Sequence, residues 1–140
     1  MLASILLTGV ASTLVSAKST CGSPSFDNLV TFGDSYTDSG RLGYYIGHNG
    51  TGPPPGVYPT VSNVTASGGL SWGQYIARST GANYRNYAVS GAVCSNKISP
   101  RLFASIGLPF PAVVEDELPS FESDVAFKAL YPDRTAENSV

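Results

Sequence analysis

The sequence predicts an α/β fold built on a parallel β-α-β unit. Two runs rich in β-branched and aromatic residues, 29–32 and 83–89, are typical of strands. A helical stretch at 70–80 lies in the long connection between them, and strands joined by such a crossover pair in parallel. Hydrophobic residues make up 42% of the chain, which suits a packed core.

The first 17 residues predict a secretory signal peptide. They carry no charge, are mostly apolar from Leu2 to Val15, and end in the small residues Val15-Ser16-Ala17. The segment is too short to span a bilayer, and a buried N-terminal helix is the alternative. Residues 18–140 then form part of a single domain.

Other features also favour an extracellular protein. Asn49 and Asn63 begin Asn-x-Thr sequons, so we expect glycosylation at both. Cys21 and Cys94 could pair with each other or with cysteines absent from this chain.

Several partner classes are not expected. A formal net charge of −2 and 13% charged residues argue against a nucleic-acid partner. The predicted mature chain contains no basic amphipathic helix, so we do not expect stable membrane association. The sequence has no metal-ligand cluster or phosphate-cradling loop, so we predict no metal and no cofactor.

The first half of the chain contains a strand, a long loop and a helix. The strand at 29–32 ends at Gly33. Segment 43–69 is dense in Gly, Pro, Asn, Ser and Thr, which predicts an irregular loop. A helix is predicted from Leu70 to Thr80, with Gly81 as its C-terminal cap.

The second half contains a strand and a final helix. The strand at 83–89 is closed by Ser90-Gly91, and Pro109 and Pro111 then interrupt regular structure. Apolar residues four apart predict an amphipathic helix over 119–130, with Pro119 in its first turn. No further strand is expected after Tyr131.

Ser35 and Gly91 each follow the end of a predicted strand. Ligands of open parallel sheets bind beyond the carboxyl ends of the strands. A serine hydroxyl there could attack a carbonyl group if a base took its proton. The N–H groups of Ser35 and Gly91 could then donate to the oxyanion. An ordinary exit from a strand is the alternative for Ser35.

A second serine matches a known pattern. Gly69-Leu70-Ser71-Trp72-Gly73 fits the Gly-x-Ser-x-Gly nucleophile elbow. The residues before it predict a turn and not the buried strand that the elbow requires. We therefore predict that Ser71 lies in the first turn of a helix.

Three stretches, in order, resemble blocks of the GDSL, or SGNH, hydrolase family. Residues 32–40, Phe-Gly-Asp-Ser-Tyr-Thr-Asp-Ser-Gly, resemble the first block, with Tyr36 in place of its leucine. Residues 67–76 resemble a Ser-Asn-Gly-x-x-Trp-x-x-Tyr-Leu segment, departing from it at Gly68 and Ile76. Residues 86–92 resemble the second block. The residues of the three blocks together are most similar to those of the fungal acetylesterases of carbohydrate esterase family sixteen.

The resemblance implies a fold, an activity and two site residues. The fold is the three-layer α/β/α SGNH-hydrolase (flavodoxin-like) fold with a parallel sheet, of which this chain is an incomplete N-terminal portion. Ser35 is implied as the nucleophile and as an oxyanion N–H donor, and Gly91 as a second donor. The implied protein is a secreted serine esterase that acts on acetyl or short-acyl esters, with acylated carbohydrate of plant walls as substrate.

The family also uses a Gly-x-Asn-Asp block and a late Asp-x-x-His pair, and neither occurs here. His48, the only histidine, is predicted to be an exposed loop residue. Asp34 and Asp38 are predicted to accept backbone N–H bonds in the turn and at the following helix start. We therefore expect the chain to be inactive alone.

Two other functions compete with the esterase. One is a non-catalytic secreted module that binds glycan through Trp72, Tyr58 and Tyr75. The other is a GDSL lipase that hydrolyses longer acyl esters.

Overall fold

The computed structural model describes residues 26–140 and confirms an α/β arrangement with parallel strands. Strand β1 (Asn28–Thr31) pairs with β2 (Asn83–Asn86) in parallel, with Asn28 opposite Asn83. The predicted signal peptide, residues 1–17, and Cys21 lie outside the described residues.

Strand β2 ends at Asn86, three residues before the predicted end at 89. The side-chain Oδ1 of Asn86 accepts the Ala88 N–H at 2.9 Å, which turns the chain away from regular ladder geometry. The two segments nevertheless stay side by side, because Tyr87 N–H donates to the Thr31 carbonyl (2.8 Å) and Val89 N–H to the Gly33 carbonyl (3.1 Å). The loops carrying Ser35 and Gly91 therefore leave the same edge of the sheet.

Helix α1 (Arg41–Gly47) replaces the start of the predicted loop at 43–69. Its first turn is stabilised from outside by Asp38, whose carboxylate accepts N–H groups at the helix start. Helix α2 (Trp72–Thr80) confirms the predicted helix. Gly81 ends it at a φ of 78°, and its N–H donates to the Ala77 carbonyl, as expected of a glycine cap.

The last helix begins and ends earlier than predicted. A π-helical turn, Val113–Glu117, leads into α3 (Leu118–Asp124), and residues 125–130 form turns in place of the predicted helical end. The N–H groups of Val113 and Val114 donate to carbonyls of residues 93 and 94 (3.0 Å each), which anchors the early start. Among residues 26–140, the structure has no helix long and apolar enough to cross a membrane.

Two strand-like pairings were not expected. Strands β3 (Leu102–Phe103) and β4 (Leu108–Pro109) form a short antiparallel hairpin. No strand follows Tyr131 in the described residues, as expected, although Ser139 forms an isolated parallel bridge with Asn28 on the side of β1 away from β2.

Helices pack against both faces of the sheet. Alternate residues of a strand point to opposite faces, and Tyr84 meets α2 while Tyr87 meets α3. The aromatic core on the α3 side centres on the fully buried Tyr87, whose ring lies 5.8 Å from Phe32 and 5.7 Å from Phe121, centroid to centroid. A second cluster comprises Tyr45, Val89 and Phe110.

The contact of α2 with the sheet depends on Gly73, because glycine has no side chain and lets Tyr84 approach the helix closely. A Cβ at Gly73 would lie 2.6 Å from the hydroxyl oxygen of Tyr84 and 2.7–2.8 Å from two of its ring atoms. Gly73→Ala is therefore expected to lower the free energy of unfolding by about 1–3 kcal/mol, although alanine favours an isolated helix. Gly69→Ala is the control, since a Cβ there meets open space. Equal urea midpoints for the two variants would contradict the packing argument.

Candidate active site

The turn after β1 presents Ser35. The Asp34 carboxylate accepts the Tyr36 N–H at 3.0 Å, and the Asp34 carbonyl accepts the Thr37 N–H at 3.0 Å. Asp34 thus holds the turn, which confirms its predicted structural role. Ser35 is half-buried at the carboxyl end of β1.

Asp38 joins this turn to α1 and to the loop after β2. Its buried carboxylate accepts the N–H groups of Gly40 (2.7 Å), Arg41 (2.7 Å) and Leu42 (3.2 Å), which confirms the predicted role at the helix start. Oδ2 also accepts the Ser90 N–H at 2.8 Å. Asp38 therefore links the two sequence blocks that carry Ser35 and Gly91.

Glu117 is a site residue that the sequence analysis missed. It is fully buried; Oε2 accepts the Gly33 N–H at 2.8 Å, and Oε1 accepts the Val89 N–H at 3.1 Å. Burial raises the pKa of Glu117 to about 7, against the opposing effect of the two N–H bonds and of Arg41. A sequence signal existed, because Glu117 lies four residues before Phe121 and so extends the helical spacing of Phe121 back beyond the predicted helix start at Pro119.

Gly91 follows β2 in a conformation that favours glycine, with φ of 94°. A Cβ there would lie 3.0 Å from Nη1 of Arg101, and that guanidinium donates to the Gly91 carbonyl. Within residues 26–140, neither the Ser35 N–H nor the Gly91 N–H donates to a protein acceptor. Ser35 lines the cleft described next, whereas Gly91 is not among the residues that line that cleft.

An open cleft of about 180 Å³ adjoins Ser35. Its lining includes the polar residues Ser35, Asp38 and Ser90 and the apolar residues Leu42, Ile46 and Val64. A second cleft, of about 280 Å³, lies beside Tyr45, Asp116 and Asp124 and is lined by none of the residues predicted for the site. The cleft at Ser35 thus places the serine that is predicted to be the nucleophile beside apolar side chains.

Ser71 and His48 are not arranged for catalysis. Ser71 is fully buried just before α2, and its Oγ bonds to Ser39 Oγ at 2.9 Å and to Tyr84 Oη at 3.2 Å. His48 is exposed at the end of α1, where its ring stacks on Tyr44 at 3.8 Å between centroids and Nδ1 bonds to the Tyr44 carbonyl at 2.8 Å.

The three aromatic residues considered for glycan binding do not form one surface. Tyr58 packs against the buried aromatic core, and its hydroxyl donates to the Asn86 carbonyl at 3.0 Å. Trp72 and Tyr75 remain 47% and 61% exposed. Tyr58 therefore packs in the core, and the hypothesis that it binds glycan together with Trp72 and Tyr75 is wrong for this residue.

The predicted modification sites lie in accessible loops. Asn49 and Asn63 are both exposed, as is Cys94. Glycosylation and the pairing of Cys94 with Cys21 stay predictions.

Comparison with known proteins adds one relative. No protein-family model matches the chain. Over 115 residues the chain is 52% identical to the acetylesterase of Hypocrea jecorina, a match that covers 82% of this chain and 33% of that protein. The chain is therefore similar to part of an acetylesterase. It spans about a third of the length of this curated relative.

Proposed function

We propose that this chain is the nucleophile-bearing N-terminal part of a secreted GDSL-type serine esterase that removes acetyl or short acyl groups, with acylated plant-wall carbohydrate as substrate. The proposed domain is a three-layer α/β/α SGNH fold. The observation that carries the proposal is the pair of loops at one sheet edge, where Ser35 and Gly91 have unbonded N–H groups. The 52% identity to an acetylesterase supports an ester substrate.

In the proposed reaction, Ser35 Oγ attacks the acyl carbonyl carbon and the N–H groups of Ser35 and Gly91 stabilise the resulting oxyanion. The bond to the alcohol then breaks, and the alcohol leaves with the proton that came from Ser35. Water next attacks the acyl group on Ser35, which releases the carboxylic acid and restores the serine hydroxyl. The serine proton must pass to a base. Because the chain's one histidine, His48, is bonded to Tyr44, we propose that the base lies outside this sequence, as the family's Asp-x-x-His pair would.

The cleft favours a short acyl group over a long chain. Leu42, Ile46 and Val64 provide an apolar wall beside Ser35, but the cleft is small and open to solvent. An acyl group of a few carbons can contact this wall while the alcohol part of the ester extends outward.

We predict that the purified 140-residue chain does not turn over 4-nitrophenyl acetate at a useful rate. Without a base the hydroxyl is a weak nucleophile, and an oxyanion hole alone leaves only a small residual rate. Steady-state hydrolysis measured against buffer checks this. Robust turnover that disappears in Ser35→Ala would contradict it.

A chimera tests the proposed function. This chain replaces the matching segment of the Hypocrea jecorina acetylesterase, which supplies the other two-thirds. We expect labelling by a fluorophosphonate probe and hydrolysis of acetylated xylo-oligosaccharide in preference to a long-chain 4-nitrophenyl ester. A folded chimera that the probe does not label would favour the glycan-binding module, and preference for the long-chain ester would favour the lipase.

A further inference from the structure

Two carboxylates hold the loop after β2 through consecutive N–H groups. Glu117 accepts the Val89 N–H at 3.1 Å, a donor that it shares with the Gly33 carbonyl (3.1 Å), and Asp38 accepts the Ser90 N–H at 2.8 Å. The next N–H, that of Gly91, has no acceptor within residues 26–140. Because peptide groups are planar and joined through two dihedral angles per residue, fixing the first two restricts the direction of the third.

Glu117 holds the loop after β1 with its other oxygen. Oε2 accepts the Gly33 N–H at 2.8 Å. Gly33 precedes Ser35 by two residues, just as Val89 precedes Gly91. One carboxyl group therefore bridges equivalent positions in the two loops that carry the proposed oxyanion donors.

The carboxyl group itself is rigidly placed. Glu117 ends the π-helical turn, and the N–H groups of Asp116 and Glu117 both donate to the Ala112 carbonyl, at 2.9 and 3.2 Å. Its side chain is fully buried, and the charged or titratable groups that act on it are Arg41 and Tyr45 of α1 and Asp38 of the preceding turn. Single π-helical turns occur frequently at functional sites.

We propose that Glu117 is a positioning residue that sets the separation and relative orientation of the Ser35 and Gly91 N–H groups. The role in catalysis rests on the proposed function, whereas the geometric role does not. Glu117 acts through the two loops and does not itself contact the ester.

Nuclear magnetic resonance of the 140-residue chain tests the geometric role. The wild-type protein, labelled with ¹³C at glutamate carboxyl groups and with ¹⁵N, is titrated with acid while the Glu117 carboxyl and the amide signals are followed. We expect the amide protons of Gly33 and Val89 to move upfield on protonation, since the bonds to a charged acceptor weaken. The amide signals of Ser35 and Gly91 should move with the same midpoint. Titration of the Glu117 carboxyl with no accompanying change at Ser35 and Gly91 would overturn the proposal.

A variant tests the catalytic consequence in the chimera. Glu117→Gln preserves volume but replaces one acceptor oxygen with a donor, so one of the two loop bonds is lost. We expect kcat to fall about 10- to 100-fold with KM changed by less than about twofold, because the donors act on the transition state. Glu122→Gln, an exposed change on α3, is the control and should match the parent.

The two proposals fail in different ways. A kcat within twofold of the parent in a folded Glu117→Gln chimera overturns the positioning role alone. Suppose instead that the chimera is neither labelled by the probe nor active on the substrate, while the amide signals of Ser35 and Gly91 still titrate with Glu117 in the 140-residue chain. That result would contradict the proposed esterase function and would support the geometric role of Glu117. If the variant does not fold, the wild-type titration decides.

Discussion

Replacing Ser35 with alanine in the chimera is expected to lower kcat by at least about 10³-fold, because the change removes the atom that is proposed to form the acyl-enzyme bond. The N–H group of residue 35 remains, so the oxyanion donors and the substrate cleft persist. KM should therefore change much less than kcat. Initial rates with 4-nitrophenyl acetate and loss of fluorophosphonate labelling measure the effect.

The control for this change is Ser105→Ala. Ser105 is exposed in the β3–β4 turn, far along the sequence from the candidate site, and its replacement removes the same hydroxyl group. We expect activity close to that of the parent. An active Ser35→Ala chimera would show that another residue supplies the nucleophile.

Asp38→Ala should lower the free energy of unfolding by about 3–5 kcal/mol, since buried N–H groups that lose their acceptor each cost about 1–3 kcal/mol. The affected groups lie at the start of α1 and at Ser90. A loss of this size is a large share of the 5–15 kcal/mol that stabilises a typical domain. Urea unfolding followed by fluorescence of Trp72, the single tryptophan, measures it.

Asp34→Ala is the matched control for Asp38→Ala. Asp34 lies in the same turn but is exposed, and its carboxylate accepts one N–H, that of Tyr36. We expect it to cost less than about 1 kcal/mol. Equal destabilisation by the two changes would show that the bonds from Asp38 to the start of α1 and to Ser90 together contribute little.

Sequence reasoning succeeded where the determinants are local. The strand β1, the helix α2 and its Gly81 cap follow from short-range patterns, and the parallel pairing follows from the length of the connection. The structural roles of Asp34 and Asp38 could also be predicted, because these acids bond to N–H groups within four residues.

The features that were missed depend on distant residues. Glu117 bonds to Gly33 and Val89, which are 84 and 28 positions away in the chain. Helix α1 contains Gly43 and Gly47, which lower helix propensity, and it forms with the help of the Asp38 carboxylate. The early start at Val113 depends on the Val93 and Cys94 carbonyls. No short-range pattern reports such partners.

The bridge at Ser139 bears on how the protein avoids self-association. A strand with a free side offers unpaired N–H and C=O groups that can recruit a strand of another molecule and begin aggregation. In this structure β1 is bonded on one side to β2, and on the other Val30 N–H donates to the Val140 carbonyl at 2.7 Å. Residues 138–140 thus occupy the side of β1 that would otherwise offer unpaired N–H and C=O groups to a strand of another molecule.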